Sequence, residues 1–320
     1  MNIIFMGTPD FSVGTLDALV RAGHEITLVV SQPDKPKGRG HELAPTAVKT
    51  AALRHGLKVF QPKKLRDPET VKVLEDTPAD VIVVIAYGQI VPPAVLHMKK
   101  YGCINVHGSL LPKYRGAAPI QWAVIDGEKE SGVTIMQMDE GLDTGDMLLK
   151  GTVALEEKET SGSLFEKISA LGASLCVEAL EKLEKGELKP EKQGESTTEY
   201  AKMLTKEMGE LDFRRSAAEL ERLIRGLNPW PSAYTRLGDK TLKIWAADIC
   251  GKKDEGAACG EITEVAKDAF YVACGEGTLK ITELQLQGKK RWMRPRSCGG
   301  IILSRDSGWA DRRKMPEGRI

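Results

Sequence analysis

The chain has 320 residues, 41% of them hydrophobic and 28% charged, with a formal net charge of +1. That length admits one large domain or two ordinary ones, and that balance excludes both a disordered polyelectrolyte and a histone-like polycation. The cysteines (Cys103, Cys176, Cys250, Cys259, Cys274 and Cys298) include no C-x-x-C pair and no zinc-ligand spacing. They fit a reducing, cytoplasmic setting better than a disulfide framework, and with no leader or long apolar run neither secretion nor membrane insertion is expected.

The first half alternates short apolar runs with helical patterns. Ile3–Met6 reads as a strand and turns at Gly7-Thr8-Pro9 into a helix carried by Phe11, Leu16, Leu19 and Val20. Glu25–Ser31, Val81–Ala86, Cys103–His107 and Val133–Met138 read as further strands, apolar enough to be covered on both faces. A helix from about Ser161 to Lys185 closes this half. The expected fold is therefore α/β, with a Rossmann-like, mostly parallel sheet. Lys182–Glu199 turns polar and charged and is the best linker candidate. Beyond it come a helix over Ser216–Leu227 and short strands at Leu242–Ala246, Gly260–Val265, Ala269–Ala273 and Thr278–Gln287. Strands at that spacing predict a small β-barrel, OB-like in character. The division expected is 1–187 for the first domain, 188–206 for the linker and 207–320 for the carboxyl-terminal domain.

Three stretches carry chemistry. Gly7-Thr8-Pro9 sits where dinucleotide folds cradle phosphate, but the G-x-G-x-x-G fingerprint is missing and Pro9 lacks a backbone donor, so a nicotinamide or flavin role is not expected. In Asn105-Val106-His107 the two polar residues are spaced to share one face of a strand. An amide donor beside an imidazole suits a developing oxyanion. Asp139–Asp146 is an acidic, glycine-punctuated loop that misses the calcium-loop positions, and within it Asp143 is the residue that can partner His107.

Asn105-Val106-His107-Gly108-Ser109-Leu110-Leu111-Pro112, followed by Arg115-Gly116-Ala117-Ala118-Pro119, resembles the signature of the folate-dependent formyltransferases. Asp143-Thr144-Gly145 is similar to their second signature. The likeness extends to Phe5–Phe11, to Gln32–Pro36 with Gly38-Arg39-Gly40, and to Asn228-Pro229-Trp230-Pro231, over roughly residues 1–290. Within the family it is nearest the branch that formylates the initiator methionyl-tRNA.

The resemblance implies 10-formyltetrahydrofolate as the formyl donor, no metal, and Asn105, His107 and Asp143 as the catalytic trio. Physically, Asn105 is a neutral donor for the oxyanion, and His107 can take the amine's proton. Asp143 can orient His107, stabilise its cation, or help carry the proton. The resemblance assigns Ser109, Leu110, Leu111 and Pro112 to folate, with Tyr87 and Gly88 added from the loop after Ala86; Tyr87 equally suits a packing aromatic. For tRNA, residues 35–66 hold nine bases against the single acid Glu42. Arg39, Lys37 and Lys35 on a long loop are the best candidates there, and Arg222, Arg225 and Lys243 in the second domain. A monomer is expected.

Two other readings compete. Sugar-nucleotide formyltransferases and formyltetrahydrofolate hydrolases share the trio but are not expected to carry both the basic loop and this second domain. A nucleic-acid-binding module without catalysis would not need the trio. After Arg291 the family's amphipathic pattern gives way to residues 292–320, which have no helical or strand period and read as a shifted frame.

Overall fold

A computed structural model describes residues 1–37, 42–251 and 256–291. Arg39 and residues 292–320 lie outside the described residues. Two compact units result: one built from 1–120, 130–154 and 164–202, the other from 121–129, 155–163 and the chain from Met203 onward.

The first unit is a seven-stranded sheet in the order β5-β2-β1-β6-β7-β8-β9. Its strands are β1 (Asn2–Gly7), β2 (Glu25–Val30), β5 (Val59–Phe60), β6 (Val81–Ile85), β7 (Cys103–His107), β8 (Glu130–Gln137) and β9 (Met147–Ala154). The first five pair in parallel, as expected of apolar runs; β8 and β9 run antiparallel. Every residue of β6 is buried, which is why a continuous Val/Ile run sits at the sheet's centre. Beneath it Ile4, Met6, Leu28, Val30, Leu74, Ile82, Val84 and Cys103 form a single apolar cluster.

Helix α1 (Asp10–Arg21) buries Ser12, Thr15, Leu16 and Leu19, one face at helical spacing. Ser12 donates its hydroxyl to the Ile85 carbonyl at 2.7 Å, tying helix to strand. The turn between β1 and α1 needs glycine because a side chain on Gly7 would meet Ser12 Cβ at 2.8 Å. Helices α2 (Ala47–Arg54), α3 (Pro68–Asp76), α4 (Pro93–Leu96), α5 (Pro119–Asp126) and α6 (Ser161–Lys185) complete the connections. The basic stretch is not one open loop: β3 (Lys35–Lys37) and β4 (Glu42–Ala44) pair antiparallel, with the alternation too short to read from sequence.

The second unit centres on a five-stranded antiparallel sheet, β10-β11-β14-β13-β12. These are β10 (Ala233–Leu237), β11 (Lys240–Cys250), β12 (Ile262–Val265), β13 (Phe270–Ala273) and β14 (Thr278–Leu286). Register shifts near Ile244 and Ala246 bend β11. Helix α7 (Ala217–Gly226) buries Leu220, Leu223 and Ile224. It begins with a capping box, Ser216 accepting from the Glu219 amide while the Glu219 carboxylate accepts from the Ser216 amide.

Candidate active site

Strand β7 delivers two polar side chains to one place. Asn105 and His107 lie two residues apart, and His107 is only 6% exposed. The third member arrives by an unexpected route. Because β8 is antiparallel to β7, its last residue, Gln137, lies opposite Ile104, far from His107. The loop that follows therefore starts beside the beginning of β7, with Met138 donating its amide to the Cys103 carbonyl at 2.8 Å. It folds back so that the Asp143 carboxylate stands 3.5 Å from Asn105 Nδ2 and 3.8 Å from His107 Nδ1. The antiparallel strand thus brings Asp143 to His107 by a returning loop.

Backbone geometry explains the glycines here. Asp143 has φ +56, a left-handed conformation that Asp tolerates better than most residues. A side chain on Gly145 would collide with the Gln137 carbonyl oxygen, and one on Gly141 with Thr144. Asp139 closes the loop by accepting from the Gly141 amide at 3.0 Å and the Thr144 hydroxyl at 2.8 Å. The second carboxylate oxygen of Asp143 accepts from the Gly116 amide at 2.9 Å.

The imidazole is oriented from its other side. His107 Nε2 lies 3.0 Å from the Tyr114 carbonyl oxygen. A carbonyl can only accept, so Nε2 carries the hydrogen and the neutral ring keeps its lone pair on Nδ1, facing Asp143. The site thus holds an amide with hydrogens to donate, an imidazole nitrogen free to accept a proton, and a carboxylate beside both.

The loop after β7 is organised from within. Ser109 is fully buried and donates its hydroxyl to the Lys113 carbonyl at 2.6 Å. Thr134 bridges the turn, donating to the Ser109 carbonyl and accepting from the Leu111 amide. Leu111 is buried with Met136 and Met147. Leu110 rests half-buried against Gly132, and Pro112 is half-buried.

On the loop after β6, Tyr87 is 2% exposed and its ring belongs to the apolar cluster under the sheet, the packing alternative. Burial pushes its hydroxyl up to about 12. Its backbone carbonyl is held by the Thr8 hydroxyl at 2.8 Å and the Gln32 amide at 3.3 Å. Gly88 has φ +88, and a side chain there would approach nothing closer than Gln32 at 3.9 Å. Two open aliphatic side chains went unnoticed in the sequence: Ile90, 80% exposed, and Leu142, 59% exposed. Neither sits in a periodic pattern that would have singled it out.

The basic candidates divide. Lys35 is exposed on β3, and Lys37 ends that strand. Arg222 and Arg225 are committed inside the second unit. Arg222 donates to the Ile125 carbonyl at 3.2 Å, while Arg225, 15% exposed, bonds Glu221 at 2.8 Å and the Glu159 carbonyl at 2.7 Å. The buried Glu221 carboxylate draws Arg225 inward. Lys243 stands over the Trp245 ring at 5.5 Å, with Arg291 over the same ring at 4.6 Å. No helix among the described residues is long and apolar enough to cross a membrane.

Known proteins resemble this chain along most of its length. The Formyl transferase family matches residues 1–180, and Formyl transferase, C-terminal domain, matches residues 203–296. The methionyl-tRNA formyltransferase of Lachnospira eligens is 55% identical over 295 residues, covering 91% of this chain and 94% of that protein. That of Geobacter metallireducens is 49% identical, covering 91% and 93%. Among solved structures, the sugar 3N-formyl transferase WlaRD gives a TM-score of 0.64 at 17% identity, covering 91% of this chain and 99% of that one. HypX from Aquifex aeolicus, solved with tetrahydrofolic acid, gives 0.60 at 19% identity over 91% of this chain; the chain spans 45% of HypX's length. The two structural likenesses support the fold, and the sequence relatives and family matches settle the membership: the chain belongs to the formyl transferase family, among the methionyl-tRNA formyltransferases.

Proposed function

We propose that this protein transfers the formyl group of 10-formyltetrahydrofolate to the amino group of initiator methionyl-tRNA, in the cytoplasm. The observation that carries the reading is the orientation of His107, whose Nε2 is engaged by the Tyr114 carbonyl so that Nδ1 is left to act as a base. The relatives' names, at 47–55% identity, support the choice of acceptor.

In this reading the acceptor nitrogen attacks the formyl carbon, a C–N bond forms, and the carbonyl electrons move onto oxygen. Asn105 donates to that oxygen. The ammonium proton passes to His107 Nδ1, and the resulting imidazolium is stabilised by the Asp143 carboxylate 3.8 Å away. Collapse of the intermediate breaks the bond to the folate N10, which takes the proton from Nδ1. The products are the formamide and tetrahydrofolate, and His107 returns to its starting form.

For folate, Ser109 and Leu111 serve as internal struts of their loop, so contact there falls to Leu110, Pro112 and the backbone. Gly88 and its loop can approach a ligand through backbone, with Ile90 and Leu142 as apolar walls for its rings. For tRNA, Lys35, Lys37 and Arg39 remain the candidates. The test is a formyl-transfer assay with 10-formyltetrahydrofolate and charged initiator tRNA. Formylmethionyl-tRNA is the expected product; transfer to an amino-sugar nucleotide with none to the tRNA would refute the reading.

A further inference from the structure

The stretch that reads as a linker is bonded to both loops that orient the site. Glu191 exchanges backbone hydrogen bonds with Met147, 2.8 Å each way, where β9 begins. Two residues on, Gln193 donates from Nε2 to the carbonyls of Asp143, at 2.9 Å, and Gly145, at 2.7 Å. Arg115 fixes the Gln193 side chain by donating to its Oε1 at 2.9 Å, and reaches the Gly194 carbonyl at 3.1 Å. Thr198 accepts the Tyr114 amide at 2.7 Å. Ala201 then pairs in both directions with the Arg115–Ala118 turn.

The bonds converge on two non-glycine residues held in left-handed backbone, Asp143 with φ +56 and Tyr114 with φ +57. Each bears on one member of the trio: the Asp143 carboxylate itself, and the Tyr114 carbonyl that sets the His107 tautomer. A lone residue in this conformation relaxes unless its surroundings over-determine it. Gln193 and Thr198 supply that determination through main-chain atoms, without reaching the reacting groups.

We propose that residues 191–201 are a strap that positions the active site, with Gln193 the positioning residue for Asp143 and Thr198 that for His107. The proposal rests on the formyl-transfer reading above. Gln193→Ala removes both donors; Gln193→Glu keeps the acceptor for Arg115 but sets a carboxylate against two carbonyl oxygens.

The test is steady-state kinetics on the full chain, with thermal unfolding measured alongside. Both Gln193 variants are expected to lose about tenfold or more in kcat, with the KM for folate changed less than about threefold. Gln193→Ala placed in an Asp143→Ala background is expected to cause no further loss, because the residue acts through Asp143. Thr198→Val is expected to lower kcat in the same way, with no further loss when combined with His107→Ala. Wild-type kcat in Gln193→Glu overturns the proposal. So do losses that multiply in the double variants, or that merely track the fraction of unfolded protein.

A wild-type chain that forms no formylmethionyl-tRNA counts against the function, and the strap is then judged without turnover. Nitrogen-15 NMR of the histidines is expected to show His107 protonated on Nε2 in the wild type and on a mixture of nitrogens in Thr198→Val. An unchanged tautomer there overturns the strap.

Discussion

A neutral imidazole can be a base through one nitrogen only, and the Tyr114 carbonyl decides which one serves here. Asn105 cannot titrate, so in the proposed reaction its contribution is confined to the charge that develops on the formyl oxygen. Asn105→Ala is expected to lower kcat by roughly 100-fold, the usual consequence of removing an oxyanion donor, with an unchanged unfolding midpoint. A rate within threefold of wild type would take Asn105 out of the chemistry. A second prediction concerns Gly116, whose amide holds the Asp143 carboxylate. Its φ is +125, and a Cβ there would sit 2.7 Å from the Ala201 carbonyl oxygen and 2.8 Å from Tyr200 Cζ. Gly116→Ala should therefore displace either the amide or residues 200–201, and lower kcat well beyond any loss of folded protein. Assay and circular dichroism on the same preparation separate the two effects. At this scale the sequence was informative about chemistry and silent about orientation. The two-residue spacing of Asn105 and His107 placed them together, but no pattern in residues 188–202 announced that Gln193 and Thr198 would hold their neighbours.

Strands buried on both faces were legible because burial leaves a continuous apolar run, as in Val81–Ile85. Edge strands were not: beyond Leu148, β9 alternates half-buried and open residues with Lys150 and Thr152 facing out, and β5 has only two residues. The direction of β8 could not be read either, since parallel and antiparallel neighbours bury the same side chains, and that direction decides how Asp143 reaches His107. Helix α7 was legible from its period, and its capping box makes a pH prediction. Hydrogen bonds from the Ser216 hydroxyl and amide, with Arg215 beside them, hold the Glu219 carboxyl at about 2, below its ordinary 4.5. A depressed carboxylate stabilises the fold above its unfolded value and loses that contribution as pH falls through the folded one. The stability gap between wild type and Glu219→Gln, measured by urea denaturation, is expected to be steady from pH 7 to roughly 5 and to shrink between about 4.5 and 2. A gap that is constant down to about pH 2 would mean the carboxylate's charge plays no part. Ser216→Ala, which removes the cap, is expected to cost about 1 kcal/mol at neutral pH.

A protein with a net charge of +1 attracts a polyanion only through uneven distribution. Residues 35–66 supply the excess, but the fold trims it with acids from outside the stretch. Lys49 is paired with Asp34, just before the stretch, at 2.6 Å, and Arg54 with the more distant Asp17 at 2.9 Å. Among the described residues this leaves Lys35, Lys58, Lys63, Lys64 and Arg66, all exposed. If phosphates bind here, the affinity for tRNA falls with salt in proportion to the number of phosphates neutralised, each contributing a slope of about 0.7 to 0.9 in log–log form. Arg39→Ala and Lys35→Ala are each expected to raise the KM for charged tRNA and to reduce that slope by nearly one unit, while the KM for the folate stays put. Arg54→Ala, its cation already matched by Asp17, should leave the slope as it was. An equal rise in both KM values for Arg39→Ala would instead assign that residue to the architecture of the site, and leave the tRNA to be held elsewhere.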